Sequence, residues 1–280
     1  KQMGDDIHGE WESHYPNTNP DETPYYPEDF GYSVSLSGNG RTVAASATYG
    51  HSDSLYYTGY VTMRVWSDQQ NGWVRKGENI VGTTAWEMSG SSVSLSYDGN
   101  TVAIGSRSSY WTGSSWNNTG RVRVFATTNM LNPKWEQVGD DIAGESISDW
   151  SGQSVSLSAD GTRVAIDGQW NDGAAGTNSG HVRVWEYSSN AWTQMGSDID
   201  GEAAYDYSGG AVSLSADGTR VAIGAQWNDE NGDNSGHVRV YEYSNSGWNQ
   251  LGIDIDGVSA DDRSFVVSLS GDGTRVAIGA

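Results

Sequence analysis

One segment of this 280-residue chain is written five times over, and that repetition limits the possible folds more than any other feature. The best-preserved copy, Ser151 to Gly201, reads SGQSVSLSADGTRVAIDGQWNDGAAGTNSGHVRVWEYSSNAWTQMGSDIDG. It returns from Ser208 to Gly257 as SGGAVSLSADGTRVAIGAQWNDENGDNSGHVRVYEYSNSGWNQLGIDIDG. Anchored on the valine of the V-S-L-S core, the copies stand at Val34, Val93, Val155, Val212 and Val267, spaced 59, 62, 57 and 55 residues apart, with the drift in loops. Units of this length cannot bury an apolar face alone and cover one another instead.

Each unit reads as four strands. The first, as in Ser154 to Ser158, alternates Ser with Val or Leu, the period-two pattern of a half-buried strand. A turn follows at Asp160-Gly161, Asp217-Gly218, Asp272-Gly273, Asp98-Gly99 and Asn39-Gly40, whose residue types supply the positive φ of a short hairpin. The next strand, TRVAIG, therefore pairs antiparallel with the first. The third strand is GHVRVWEY at Gly180 and GHVRVYEY at Gly236, and the fourth opens at Trp192 or Trp248 and ends at Ile199 or Ile255. Four antiparallel strands, repeated, describe an all-β fold, a β-propeller of four-stranded blades. Small residues such as Ala222, Gly224 and Ala225 fit the crowded inner strands around a propeller axis.

Lys1 to Gly9 matches only a fourth strand, and Ala280 ends on a second, so residues 1–280 read as a single propeller domain cut inside a repeat at both ends. About five blades' worth is present. Seven blades at this period need ~400 residues, the expected form of a longer protein, with a closed five-bladed ring as the second choice.

Composition narrows the function. Against 36 Asp plus Glu stand only 15 Lys plus Arg, a formal charge of −21, which is the wrong sign for nucleic acid. No apolar run approaches the ~20 residues of a membrane helix, so no insertion is expected within this segment. The absence of cysteine removes disulfides and thiolate chemistry.

The run Phe30-Gly31-Tyr32-Ser33-Val34-Ser35-Leu36, with TVAASA after its turn, resembles the FG-GAP repeat of integrin-α-type propellers, as does Ser208 to Ala225 with its closing AIGA. The resemblance spans nearly the whole chain apart from Trp11 to Pro27. It implies a seven-bladed, extracellular or cell-surface protein concerned with adhesion or ligand binding. Many such repeats carry a D-x-D-x-D-G calcium loop between the first two strands; here it shrinks to S-A-D-G-T, and that site is not carried over.

Calcium has another candidate place. The loop Asp229-Glu230-Asn231-Gly232-Asp233-Asn234-Ser235 sets oxygen ligands at Asp229, Asn231 and Asp233, with the Ser235 carbonyl as a fourth. The equivalent loop from Asp172 keeps only the first. Glu28, Glu87, Asp149, Asp206 and Asp261 each stand six residues before an anchor valine, where a carboxylate caps a turn or pairs with the strand arginines Arg64, Arg123, Arg183 and Arg239. His181 and His237 are repeat-equivalent and are read as strand side chains rather than metal ligands. Arg75, Arg107, Arg121 and Arg263 fall in no motif.

Departures from the repeat mark where a blade is specialised. The insertion at 11–27, WESHYPNTNPDETPYYP, holds four of the five prolines with Trp11, His14, Tyr15, Tyr25 and Tyr26, suiting a partner or glycan contact. Tyr110, Trp111 and Trp116 in the second blade's loop, and Tyr56, Tyr57 and Tyr60 in the first, offer the same chemistry. Asn117-Asn118-Thr119 is the one N-x-S/T sequon, a glycan acceptor at Asn117 if the chain is secreted in a eukaryote.

No nucleophile elbow, H-E-x-x-H or phosphate-cradling loop is present. The sequence therefore predicts a non-enzymatic extracellular or cell-surface module for adhesion, protein contact or self-assembly, with calcium as the one cofactor considered. The alternative is a glycan-binding or glycan-active propeller that uses its aromatic loops.

Overall fold

Val and Leu of a V-S-L-S strand need an apolar partner, and in the second, third and fourth repeats they find it in the preceding one. In the computed structural model, which describes residues 3–9, 29–51, 55–107, 110–111, 116–128 and 133–280, there is no helix among the described residues. Four antiparallel sheets follow one another along the chain. Sheet 1 comprises Phe30–Leu36, Thr42–Ala47, Tyr60–Ser67 and a broken fourth strand, Gly72–Arg75 with Ile80–Val81. Sheet 2 comprises Ser89–Leu95, Thr101–Ser106, Arg121–Ala126 and Glu136–Gln137 with Ile142–Ala143. Val155–Leu157, Arg163–Gly168, His181–Ser188 and Ala191–Gln194 with Ile199–Asp200 form sheet 3. Ala211–Leu214, Arg220–Ala225, His237–Ser244 and Gly247–Gln250 with Ile255–Asp256 form sheet 4, and Val266–Leu269 pairs with Val276–Gly279 beyond it.

The core lies between sheets rather than within them. Val61, Met63 and Ile80 of sheet 1 meet Val93, Leu95, Val102 and Ile104 of sheet 2. Val122, Val124 and Ile142 meet Val155, Leu157, Val164 and Ile166 of sheet 3. Val182, Val184 and Ile199 in turn meet Val212, Leu214, Val221 and Ile223 of sheet 4. Val34 and Leu36, at the positions of Val93 and Leu95, face no preceding sheet among the described residues and are 63% and 59% exposed there.

The serines of the alternating strand do not simply face water. Ser33 and Ser35 accept the N–H groups of Val93 and Leu95 in the next sheet, at 3.1 and 3.0 Å. Ser94 accepts from Leu157, Ser154 from Val212 and Ser156 from Leu214. Period two thus means apolar toward the sheet before and hydroxyl toward the sheet after. Two further ties lie outward: Arg183 and Arg239 donate to the carbonyls of Ala143 and Asp200, and Trp135, Trp192 and Trp248 donate Nε1–H to Lys76, Val138 and Met195.

The Asp-Gly turns differ in one respect from expectation. Only the glycine, such as Gly161 at φ 76°, has positive φ. Asp160 instead accepts from the Thr162 N–H and the Ser158 hydroxyl, and the same device recurs at Asp98, Asp217 and Asp272.

The insertion with Trp11, His14, Tyr15, Tyr25 and Tyr26 lies outside the described residues, as does Glu28. Tyr110–Trp111 and Trp116–Asn117 form a two-stranded ribbon. Tyr60 is buried, which takes it out of the set of contact aromatics.

Candidate functional site

One rim of the molecule gathers the loops between second and third strands and those leading from one sheet into the next. The two sets zip together through backbone bonds: Trp150 N–H to Asn118 O, Tyr207 N–H to Asn178 O, Arg263 N–H to Asn234 O. Met88, Trp150, Tyr207 and Arg263 hold the same left-handed conformation, φ 52–53°, which non-glycine residues adopt only when their surroundings over-determine it.

Between sheets 3 and 4 this rim opens into a cavity of about 340 Å3 lined by Gln153, Gln169, Trp170, Tyr207, Gln226 and Trp227. Trp170 lies between Trp150 and Tyr207, with ring centroids at 5.6 and 4.7 Å, and Trp227 carries the Arg263 guanidinium 4.5 Å from its centroid. Gln169 donates to Gln153 across the cavity. Aromatic faces beside amide groups provide stacking surfaces and paired donors and acceptors, the chemistry that polyhydroxylated ligands use.

Beneath the cavity sits Asp167, fully buried, where sheets 2 and 4 have Gly105 and Gly224. A Cβ at either glycine would meet a carbonyl of the next sheet at 1.9 Å. Opposite Asp167 stands Gly209, the repeat equivalent of the Gly152 that faces Gly105, whereas Gly224 faces Phe265. Asp167 Oδ1 accepts from the N–H groups of Gly152 and Ser154, on either side of Gln153, while Oδ2 has no hydrogen-bond partner among the described residues. Burial pushes its carboxyl up to about 7, against those N–H donors.

Farther out on the same rim lie two groups of carboxylates around a histidine. Glu202, Glu230, His237 and Asp254 bring one ligand atom each within 4.8 Å of all the others, as do Glu145, His181 and Asp198. Acidic groups that could hold a metal ion are therefore present among the described residues. Reading the two histidines as plain strand side chains missed this, because their carboxylate neighbours come from other loops.

The loop at Asp229 behaves differently from its spacing. Asp229 accepts the Asn234 N–H, the Asn231 amide donates to Gly257 O, and the Ser235 carbonyl accepts from Ser264. Among the described residues it is Glu230, not Asp229, Asn231 or Asp233, that joins a converging group.

The recurring carboxylate is mainly a turn cap. Glu87 accepts from the Thr83 and Thr84 N–H groups, Asp149 from Glu145 and Ser146, Asp206 from Ala203, and Asp262 from Ser259. Asp262 rather than Asp261 holds this place in the last copy, because the loop there is one residue shorter. Glu87 also pairs with Arg123 at 2.9 Å and Arg121 at 2.8 Å. Burial opposes its ionisation, but Arg123 and Arg121 outweigh that and hold its carboxyl below the usual range.

Residues 198–241 match the FG-GAP repeat family, so an FG-GAP-type repeat is present where the sequence resemblance placed one. No curated protein matches the chain in sequence. The periplasmic gluconolactonase of Pseudomonas aeruginosa superposes with a TM-score of 0.56 at 16% identity, over 88% of this chain and 64% of its own. This chain thus spans less than two thirds of that enzyme. An acylaminoacyl peptidase gives 0.50 at 13% identity, over 88% of this chain and 34% of the peptidase. Hydrazine synthase of Kuenenia stuttgartiensis gives 0.49 at 16% identity, over 91% and 76%. The fold is an all-β propeller of four-stranded antiparallel sheets.

The same findings correct the functional expectation. A non-enzymatic adhesion or assembly module does not stand as the reading, since the similar folds are those of a lactonase and a peptidase. Missing motifs are weak grounds for excluding catalysis in this architecture: a propeller site draws single side chains from sheets more than 50 residues apart, which no local pattern records.

Proposed function

We propose that this chain is a hydrolase-type propeller whose rim cavity between sheets 3 and 4 takes a polyhydroxylated, carbohydrate-derived ester of the sugar-lactone class. The observation that carries the reading is the pairing of Trp170 and Trp227, from two copies of one Gln-Trp-Asn-Asp segment, with Gln153, Gln169 and Gln226 in one cavity. Its volume falls in the range of small-molecule sites, ~300–1,000 Å3. The likeness to a gluconolactonase supports the substrate class.

In this reading the aromatic faces hold the C–H side of the sugar ring and the glutamines take its hydroxyls. Water adds to the ester carbonyl and the C–O bond to the ring oxygen breaks, leaving the open acid. Asp167 is a positioning residue: it touches the backbone around Gln153 rather than the cavity, and so fixes where that amide points.

Glucono-1,5-lactone hydrolysis followed by proton release tests the activity, with tryptophan fluorescence as the binding readout. Release faster than the spontaneous rate, with a fluorescence change lost in Trp170→Ala and Trp227→Ala, is expected. A rate equal to the background with no fluorescence change overturns the reading.

A further inference from the structure

The first residue of the third strand faces the same rim position in every full sheet: Tyr60, Arg121, His181 and His237. In sheet 2 that position supplies a cation. Arg121 lies between Asp141 at 2.6 Å and Glu87 at 2.8 Å and donates to the Thr83 hydroxyl. With Arg123 on Glu87, two guanidiniums face two carboxylates, and the charges cancel.

In sheet 4 the cation is missing while the acids increase. Asp254 stands where Asp141 does, Glu202 replaces Thr83, and Glu230 reaches in from the adjoining loop. Arg239 answers one of the three, Glu202, at 3.1 Å. His237 is 1% exposed, and its Nδ1 points into the cluster, 3.5 Å from Asp254 and 3.8 Å from Glu202, with no hydrogen-bond partner. Burial, then Arg239, push its imidazole down to about 4, so it is neutral and offers a lone pair. Burial also raises the Glu202 carboxyl, with Asp254 and Glu230 adding to the effect and Arg239 opposing it. One guanidinium thus stands against three carboxylates here, where sheet 2 sets two against two.

We propose that His237, Asp254, Glu202 and Glu230 form a binding site for a first-row divalent transition ion of the zinc type, which takes the place that the Arg121 guanidinium fills in sheet 2. One imidazole nitrogen with carboxylate oxygens suits such an ion better than calcium or magnesium, which prefer oxygen alone. Donor atoms within 4.8 Å of one another need to close to ~3.4 Å for a tetrahedral ion with bonds of ~2.1 Å. The exposed Glu202 and Glu230 side chains can supply that movement. The sheet 3 group ranks second. Gly173 stands at the place of Glu230, and a Cβ there would already meet Ser179 Oγ at 2.7 Å, so Glu145, His181 and Asp198 lack a fourth ligand.

Titration calorimetry of the chelator-treated chain with ZnCl2, with CaCl2 in parallel, tests the site. One tight zinc ion per chain with a raised Tm is expected, followed by a weaker second. His237→Arg is predicted to abolish the tight event and to raise the Tm of the metal-free chain, because it rebuilds the sheet 2 arrangement. Glu230→Gln, in an exposed loop, gives an arm that does not depend on that variant folding; it should weaken zinc by about tenfold or more. Zinc binding absent from the native chain, or unchanged in His237→Arg or in Glu230→Gln, overturns the proposal. So does calcium binding alone.

Discussion

Sheets 2 and 4 share one strand order and one third-strand register, yet their rim corners solve one electrostatic problem in opposite ways. Arg121 closes a neutral network around a buried Glu87, whereas His237 leaves three carboxylates with one arginine between them. A repeat therefore conserves the place where charge must be balanced without conserving what balances it.

The widest gap between the corners should appear on truncation. Arg121→Ala strands the fully buried Glu87 beside one remaining cation and should cost about 3–5 kcal/mol. His237→Ala in the metal-free chain loses no Nδ1 bond but leaves a cavity where a buried imidazole packed, and should cost about 2 kcal/mol. Urea midpoints of the two variants give the comparison directly, and equal costs would break it.

Asp167 extends the contrast to the strand position that is Gly105 in sheet 2 and Gly224 in sheet 4. Its folded pKa, about 7, lies above the 3.8 of the unfolded chain, so the folded state keeps a proton that the unfolded state has released. Its contribution to stability is complete below about pH 4, falls as pH rises, and levels off above about pH 7. About three pH units correspond to at most about 4 kcal/mol. Asp167→Asn keeps the acceptor for Gly152 and Ser154 and should flatten this slope, gaining on the native chain between pH 4 and 7 in urea titrations. An unchanged slope would return Asp167 to an ordinary buried group.

Smaller and more uniform effects are expected where the sheets are alike. Ser35→Ala, between sheets 1 and 2, and Ser156→Ala, between sheets 3 and 4, each leave one N–H without its acceptor and should each cost about 1–2 kcal/mol. Trp248→Phe loses the bond to Met195 and should cost about 1 kcal/mol by the same measurement. Unequal serine costs would show that the interfaces differ beyond their rims.

Much of the architecture was legible in the sequence, because a hairpin is local: V-S-L-S, Asp-Gly and VAIG lie within about a dozen residues. The meaning of the serines was not, since Ser35 and the Leu95 N–H it accepts are 60 residues apart. The same distance hid the rim. Arg121 reads as an orphan until it is overlaid on His181 and His237, and the two Gln-Trp-Asn-Asp segments look like architecture until their tryptophans line one cavity. Asp261 was misplaced by a one-residue shortening that only the turn bonds of Asp262 expose.

Successive sheets are joined by no continuous strand ladder among the described residues; a few backbone bonds between loops, with a serine, an arginine and a tryptophan, fasten each to the next beside the packed apolar faces. Tension applied to the two ends would accordingly load these fastenings in series, and one sheet would peel away while its neighbours held. Each rupture would release a unit of 55 to 62 residues, lengthening the chain by up to ~200 Å, so that a stretched molecule would record its own repeat as a sawtooth.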